Sequence, residues 1–141
     1  MKILLAVDGS PYSRKAVKHL LKHFDWFRNA PELHLLHVKL PLPPGRARSF
    51  LGNDTVNNYY QEESEAALRP SEKILRKEGI PFQSSYRIGD IAKEIQSYVK
   101  KNRIDMIVMG SHGHGALQNL VMGSVATKVL AVTQVPVLIV R

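Results

Sequence analysis

The chain contains no cysteine among its 141 residues. This absence excludes disulfide bonds, thiolate metal sites and thiol catalysis together, and it fits a reducing compartment. Long apolar runs are missing too, since no stretch approaches the roughly 18 residues that span a membrane. Residues 1–5 run almost directly into Asp8, without the basic and then long apolar layout of a signal peptide. We therefore expect a soluble, cytoplasmic protein with no membrane partner.

Acidic residues are scarce: 12 Asp and Glu stand against 20 Lys and Arg, for a formal net charge of +8. A basic balance of this size raises nucleic acid or another acidic partner as an option. The cations, however, are spread over several segments and are not interleaved with aromatic residues, as they are in single-strand binders. We therefore favour solvated helix faces and a phosphorylated ligand over direct nucleic-acid binding.

Two apolar patterns alternate along the chain and indicate one α/β domain over residues 1–141. Four segments have the apolar spacing of amphipathic helices, and they separate five strand-like runs. These runs lie at residues 2–7, 32–39, 80–88, 104–109 and 135–141. Such an order predicts a doubly wound, five-stranded parallel sheet with helices on both faces. If strand one is central and strand three is an edge, the strand order is 3-2-1-4-5.

Prolines place the irregular segments. Residues 40–53 include three prolines and predict a long irregular connection, either a lid beside a ligand or a disordered surface excursion. A helix begins near residues 53–55, and Pro70 inside it predicts a kink or break near residues 68–69. Pro81, within an alternating segment, marks the third strand as an edge strand.

Two pairs of histidines have spacings that could suggest metal sites. His19 and His23 are i, i+4 neighbours on a helix, but the basic surroundings favour a solvated pair. His34 and His37 fall on opposite faces of a strand because their spacing is odd, so they cannot share a metal. Neither pair predicts a metal site.

Two loops are expected to meet where the strand order reverses. In a doubly wound sheet, ligands bind outside the carboxyl ends of the strands at this switch point, which lies here between strands one and four. The loops that follow these strands are residues 8–10 and 110–124. The second loop is rich in glycine and leads into a helix, whose unpaired N–H groups favour an anion. The two loops therefore predict a phosphate-binding crevice.

The spacing of the glycines distinguishes between kinds of phosphate site. No G-x-x-x-x-G-K-[ST] motif occurs, so the P-loop lysine is missing. The G-x-G-x-x-G dinucleotide motif is also missing after the first strand. The loop after strand four reads instead G-x₂-G-x₉-G-S from Gly110 to Ser124. With this motif, the opening ILLAVDGS and the closing PVLIVR, the chain resembles the universal stress protein family, in the subgroup that binds ATP through G-x₂-G-x₉-G-[ST].

The resemblance implies a fold of the adenine nucleotide alpha hydrolase type that binds ATP or AMP, with Mg²⁺ as an optional companion. It implies that Asp8 lies near the ribose, while Ala6 and Val38 flank the adenine. Met109 and Gly110 would border the base and the sugar. The phosphates would be held by main-chain N–H groups and a serine hydroxyl from Gly113, His114, Gly123, Ser124 and Val125.

Two positions depart from the family pattern. Ala6 stands where proline is common in nucleotide-binding relatives, and His114 stands where arginine is common. A neutral imidazole contributes less than a guanidinium group to binding a triphosphate, so the affinity for AMP or ADP should be higher relative to that for ATP. Binding should also strengthen in mildly acidic solution as His114 gains a proton.

The last strand, residues 136–141, is apolar and lacks the charges that discourage pairing at a sheet edge. A second copy could cover this strand through a two-fold contact, so we predict a homodimer. The resemblance implies the same interface.

Two functions from different classes follow. The leading hypothesis is a regulatory module of the stress response, in which a bound adenine nucleotide alters the loop and dimer surface and an unknown protein partner reads the difference. The alternative is a weak Mg²⁺-dependent ATP hydrolase or phosphotransferase, with Asp8 holding a metal or positioning water and His112 as a base. The two loops contain no second carboxylate and no lysine, so we favour the first hypothesis.

Overall fold

The structure is a computed structural model that describes residues 1–115 and 119–141. Strands and helices alternate along the described residues, which also include a 3₁₀ turn at Phe24–Trp26. The elements are β1 (Lys2–Ala6), α1 (Pro11–Lys22), β2 (Glu32–Lys39), α2 (Arg46–Lys77), β3 (Phe82–Ile88), α3 (Ile91–Asn102), β4 (Met106–Gly110), α4 (Ser124–Val132) and β5 (Val137–Val140). Among the described residues, none of the helices combines the length and the apolar character needed to cross a membrane.

The five strands form one parallel sheet in the order β3-β2-β1-β4-β5, which confirms the predicted topology. β1 lies in the middle, and Ala6 at its end is in register with Leu36 of β2 and Met109 of β4. The chain winds out through β2 to β3 and then returns to the other side of β1. The strand order therefore reverses between β1 and β4.

Two apolar cores cover the two faces of the sheet. Because side chains alternate along a strand, Ile3 and Leu5 of β1 pack with α1 and α2, whereas Leu4 and Ala6 pack with α3 and α4. The same alternation repeats in β2 and β4, so all three central strands are covered on both faces. This double burial explains why these strands are almost continuous apolar runs in the sequence.

The start of α1 is fixed by Ser10 and Pro11. The Ser10 hydroxyl accepts a hydrogen bond from the backbone N–H of Ser13 at 3.3 Å, and Pro11 occupies the first helical position, where no N–H is needed. The helix therefore begins directly after the short loop that follows β1.

The sequence predicted a kink or a break near residues 68–69, and the break is wrong, because the helical backbone of α2 runs through Pro70. Leu68 and Leu75 lie on either side of the proline and are both buried in the same core, which holds both halves of the helix against the sheet. The non-helical residue in α2 is Gly52, with φ 74° and ψ 162°. The irregular connection predicted for residues 40–53 is also too long, since helical structure begins at Arg46.

The histidines of β2 lie on opposite faces of the sheet, as predicted, and both are buried. The Nδ1 atom of His34 lies 2.9 Å from the Tyr98 hydroxyl, and its Nε2 atom lies 2.8 Å from Oε1 of Glu32. His37 instead donates its Nδ1 hydrogen to the Val7 carbonyl oxygen at 2.8 Å. Burial lowers the pKa of the His37 imidazole, and the bond to Val7 opposes this effect only in part.

The loop after β1 packs against the middle of α2. Gly9 has φ +81°, and a Cβ atom there would lie 3.1 Å from Cα of Ala67 and 3.2 Å from its carbonyl oxygen. The left-handed backbone and the close approach of a helix both require glycine at this position. Gly79, at the end of α2, has a similar φ of +66° but no neighbouring atom within 4 Å of such a Cβ.

We predict that Gly9→Ala destabilises the protein more than Gly79→Ala. Both changes place an alanine in the left-handed region, at a cost of about 1–2 kcal/mol. Gly9→Ala should cost roughly 1–3 kcal/mol more because it overpacks the contact with Ala67. Urea unfolding of the two variants measures the difference, and equal losses would show that the loop can move away from α2.

We also predict that the free energy of unfolding decreases as the solution is acidified below about pH 6.5. Because the pKa of His37 is lowered in the folded chain, the unfolded chain takes up the proton first; stability is therefore full above the unfolded value and is lost as the pH falls toward the folded value. The contribution of one such group to the slope is at most about 1.4 kcal/mol per pH unit.

Urea titrations of the wild type and of His37→Asn between about pH 5 and pH 7.5 test this expectation. Asparagine can still donate a hydrogen bond to Val7 but does not titrate, so the slope should become shallower. His23→Asn, which removes a half-buried imidazole elsewhere in the chain, serves as the control. An unchanged slope in His37→Asn would assign the pH dependence to another group.

Candidate functional site

A cavity of about 440 Å³ opens at the carboxyl ends of the central strands, where the strand order reverses. We call it the switch-point cleft. All ten site residues assigned from the sequence line it: Ala6, Asp8, Val38, Met109, Gly110, Gly113, His114, Gly123, Ser124 and Val125. The cleft thus brings together residues from both predicted loops and from three neighbouring strands. Residues 116–118 of the second loop lie outside the described residues.

One wall of the switch-point cleft is apolar. It is formed by the ends of β1, β2 and β4 together with one side of α3. Ile91 and Ile95 supply the part from α3, and sequence reasoning did not assign them to the site. Their i, i+4 spacing is typical of an amphipathic helix, but only the position of α3 over the strand ends shows that these two side chains reach the cleft. The wall suits a flat apolar group such as a nucleobase.

Asp8 is the carboxylate of the switch-point cleft, and its orientation is fixed by the start of α1. Its Oδ1 atom accepts hydrogen bonds from the Ser10 N–H at 2.9 Å and from the Ser13 hydroxyl at 2.7 Å. Burial acts to raise the pKa of Asp8, but the hydrogen bonds from Ser10 and Ser13 outweigh it and leave the pKa below its usual value. Asp8 is therefore ionised at neutral pH.

The second oxygen of Asp8 faces the glycine loop. No hydrogen bond reaches Oδ2 from the described part of the chain, and a Cβ atom built on Gly113 would lie 2.6 Å from it. Glycine at position 113 thus keeps open the space in front of a charged acceptor. This space is where a ligand hydroxyl could donate a hydrogen bond.

The glycine loop is closed at its base by backbone contacts. The N–H of Gly123 donates to the Ser111 carbonyl at 2.7 Å, and the N–H of Ser111 donates to the Val140 carbonyl at 2.8 Å. A Cβ atom on Gly123 would lie 3.1 Å from Cα of His112, so a side chain at this position would press against the glycine loop. This close contact directs the start of α4, at Ser124, toward the cleft.

Gly110 has a structural role that the sequence did not reveal. A Cβ atom at this position would lie 2.7 Å from Cβ of Tyr12 and 2.8 Å from its carbonyl carbon. The end of β4 therefore touches the backbone of α1 directly. Glycine is required here by helix packing, in addition to any contact that Gly110 makes with a ligand.

The two histidines of the glycine loop are both tied to backbone carbonyls. His112 donates from Nε2 to the Leu120 carbonyl at 2.8 Å, and its Nδ1 lies 2.8 Å from the Ser111 hydroxyl. His114 donates from Nε2 to the Asp8 carbonyl at 2.9 Å and so links the two loops across the cleft. His112 would have to give up one of these bonds to act as a base on water, whereas the Nδ1 atom of His114 has no hydrogen-bond partner among the described residues.

The charges that line the switch-point cleft are few. Among the described residues, the lining holds one carboxylate, Asp8, and no lysine or arginine. His37, His112 and His114 supply three imidazoles. Within the same residues there is no cluster of three His, Cys, Asp or Glu side chains that could hold a metal ion. An anion in this cleft would therefore be held by backbone N–H groups, hydroxyls and imidazoles.

The segment of residues 40–53 contributes nothing to the described lining of the switch-point cleft. The hypothesis that this segment is a lid therefore has no support in the structure.

Comparison with known proteins links this geometry to a family. Residues 1–141 match the model of the Universal stress protein family. The chain is 31% identical to the universal stress protein YxiE of Bacillus subtilis, over 99% of this chain and 98% of that one. It is similar to the solved structure of protein MJ0577 of Methanocaldococcus jannaschii, with a TM-score of 0.79, 30% identity and coverage of 99% and 94% of the two chains.

A further solved structure shares the fold and contains a nucleotide. It is the universal stress protein of Archaeoglobus fulgidus in complex with dAMP, which is 20% identical to this chain. Its TM-score is 0.67, and the likeness covers 100% of this chain and 98% of that one. The match of the family model over the whole chain, together with these relatives, shows that the chain belongs to the universal stress protein family.

Proposed function

We propose that this protein binds an adenine nucleotide in the switch-point cleft and acts as a regulatory module of the stress response. The observation that carries the proposal is the convergence of all ten sequence-assigned residues on one cavity. The dAMP complex of the Archaeoglobus fulgidus relative supports a nucleotide as the ligand. The place of action, which we expect to be the cytoplasm, stays a prediction from the sequence.

The cleft offers a different kind of contact for each part of a nucleotide. The apolar wall with Val38, Met109 and Ile95 suits the base. Oδ2 of Asp8 can accept a hydrogen bond from a ribose hydroxyl. The backbone N–H groups around Gly113 and at the start of α4 can bind phosphate oxygens.

The charges of the cleft favour a nucleotide with few phosphates. ATP would bring several negative charges to a lining that, in its described part, has a carboxylate but no lysine or arginine. AMP brings fewer charges, so transferring it from water into the cleft should cost less desolvation free energy. We therefore expect AMP to compete well with ATP, and Mg²⁺ would enter only as a companion of the phosphates of ATP.

Hydrolysis of ATP is the weaker candidate. His112 is the base that the sequence offered, and its hydrogen bonds to Ser111 and Leu120 hold it away from that role. Asp8 is also the only carboxylate among the described lining residues. The geometry therefore favours binding over turnover.

The dimer is a separate part of the proposal. Within the described parts of the chain β5 pairs only with β4, and its residues Val137, Leu138 and Ile139 are partly exposed. A second copy of the chain can cover this apolar edge through a two-fold contact. An unknown protein partner would then read the nucleotide-dependent surface of the dimer.

We predict that the protein binds AMP more tightly than 2′-deoxy-AMP or 3′-deoxy-AMP. A hydrogen bond to a charged acceptor is worth about 1.5–3 kcal/mol, or roughly 10- to 100-fold in affinity. Isothermal titration with each nucleotide measures this ratio. In Asp8→Asn the ratio should fall toward one, because the charge is lost while Oδ1 can still accept from Ser10 and Ser13.

Two further results decide this test. The melting temperature of Asp8→Asn reports whether the loop survives the change. An unchanged AMP preference in a folded Asp8→Asn protein would remove Asp8 from the ribose site. Absence of both AMP and ATP binding at millimolar concentration would contradict the proposed function itself.

We also predict that the protein is a dimer in solution at micromolar concentration. The reason is the cost of leaving the apolar edge of β5 in water. Size-exclusion chromatography with light scattering checks the molar mass. A monomer at all accessible concentrations would contradict the proposed interface.

A further inference from the structure

A second cavity lies on the surface between α1 and α2, and it is lined by lysines. Its volume is about 530 Å³. Lys18 and Lys22 line it from α1, and Lys73 and Lys77 line it from α2. Leu21 and Ile74, which are half-buried, supply its apolar floor. We call this surface the basic groove.

The four ammonium groups of the basic groove are not neutralised by nearby acidic side chains. In the part of the chain that the structure describes, none of them forms an ion pair with a carboxylate. By contrast, the neighbouring Arg76 of α2 is paired, since it lies 3.5 Å from Glu72. The one acidic residue in the described lining of the groove is Glu78. The groove is thus a local excess of positive charge.

This arrangement works against the stability of the two helices. Lys18 and Lys22 are i, i+4 neighbours, as are Lys73 and Lys77, and like charges at this spacing repel. The helix macrodipole favours positive charge at Lys22 and Lys77, which lie in the last turns of α1 and α2. It does not account for Lys18 and Lys73, one turn earlier. A ligand that supplies negative charge would compensate for all four.

The apolar floor narrows the kind of ligand. Leu21 and Ile74 belong to the edge of the core on this face of the sheet, and they lie between the two rows of lysines. Phosphodiester backbones have no group to place on an apolar floor, and a concave groove does not suit a flat lipid surface. An amphipathic helix offers an apolar ridge for the floor and acidic side chains for both rims.

We propose that the basic groove docks an acidic amphipathic helix of a partner protein. The apolar ridge of that helix contacts Leu21 and Ile74, and carboxylates on its two sides pair with the lysines of α1 and α2. Because the contacts are charge-dependent and exposed, binding weakens as the salt concentration rises. The docking does not require a nucleotide in the switch-point cleft.

A designed peptide tests the proposal. The probe is a fluorescein-labelled helical peptide of about 18 residues, five turns, with leucines along one ridge and glutamates on both sides of it. A second peptide carries glutamine in place of every glutamate. Fluorescence anisotropy at low salt should show that the acidic peptide binds about tenfold or more tightly than its glutamine counterpart.

The variant Lys18→Glu/Lys73→Glu separates charge from folding. Each new glutamate stands four residues before a lysine, Lys22 or Lys77, which is the favourable order for a pair within a helix. The melting temperature should therefore not fall, while binding of the acidic peptide should weaken by about tenfold or more. The matched control is Lys93→Glu/Lys128→Glu, which makes the same change in net charge on α3 and α4 and should leave binding unchanged.

Three results would overturn the proposal. The first is equal binding of the acidic and glutamine peptides. The second is equal loss of binding in the two double variants, which would assign the effect to net charge. The third is displacement of the peptide by single-stranded DNA or by phosphatidylserine vesicles, together with a loss of DNA or vesicle binding in the Lys18→Glu/Lys73→Glu variant. That result would make the groove a general binding surface for polyanions.

Discussion

The parallel pairing of β1 with β4 is the constraint on which the rest of the molecule depends. Ala6 and Met109 are in register at the ends of these strands, although they are far apart in the sequence. The pairing brings the loop with Asp8 next to the glycine loop and lets His114 donate to the Asp8 carbonyl. It also places Gly110 against the backbone of α1. Without this one pairing, the switch-point cleft would lose two of its sides.

The sequence was sufficient for the topology and for the residues that line the cleft, because strand ends and loop glycines are local features. The strand order followed from the alternation of elements and from the edge character of β3, and the cleft residues followed from the strand ends. Two features could not be predicted: that Ile91 and Ile95 line the cleft, and that Gly110 packs tightly on Tyr12. These depend on distances between elements, which no short pattern in the sequence records.

Helix α2 shows how tertiary contacts can override local propensity. Pro70 removes one hydrogen bond of the helix, yet buried Leu68 and Leu75 hold both halves against the same core. Gly52 lies in a part of α2 with fewer buried neighbours, and there the backbone leaves the helical region. The helix therefore breaks where packing is weak and continues where packing is strong, whichever residue has the lower helix propensity.

The contact between Gly9 and Ala67 has a mechanical consequence. In α1, Ser13 donates a hydrogen bond to Asp8, and Lys22 lies about 14 Å further along the helix axis. In α2, Ala67 packs on Gly9, and Lys73 lies about 9 Å further along the helix axis. The loop between β1 and α1 thus contacts both of the helices that carry the two rows of lysines. A displacement of this loop would therefore be expected to change the spacing between those rows.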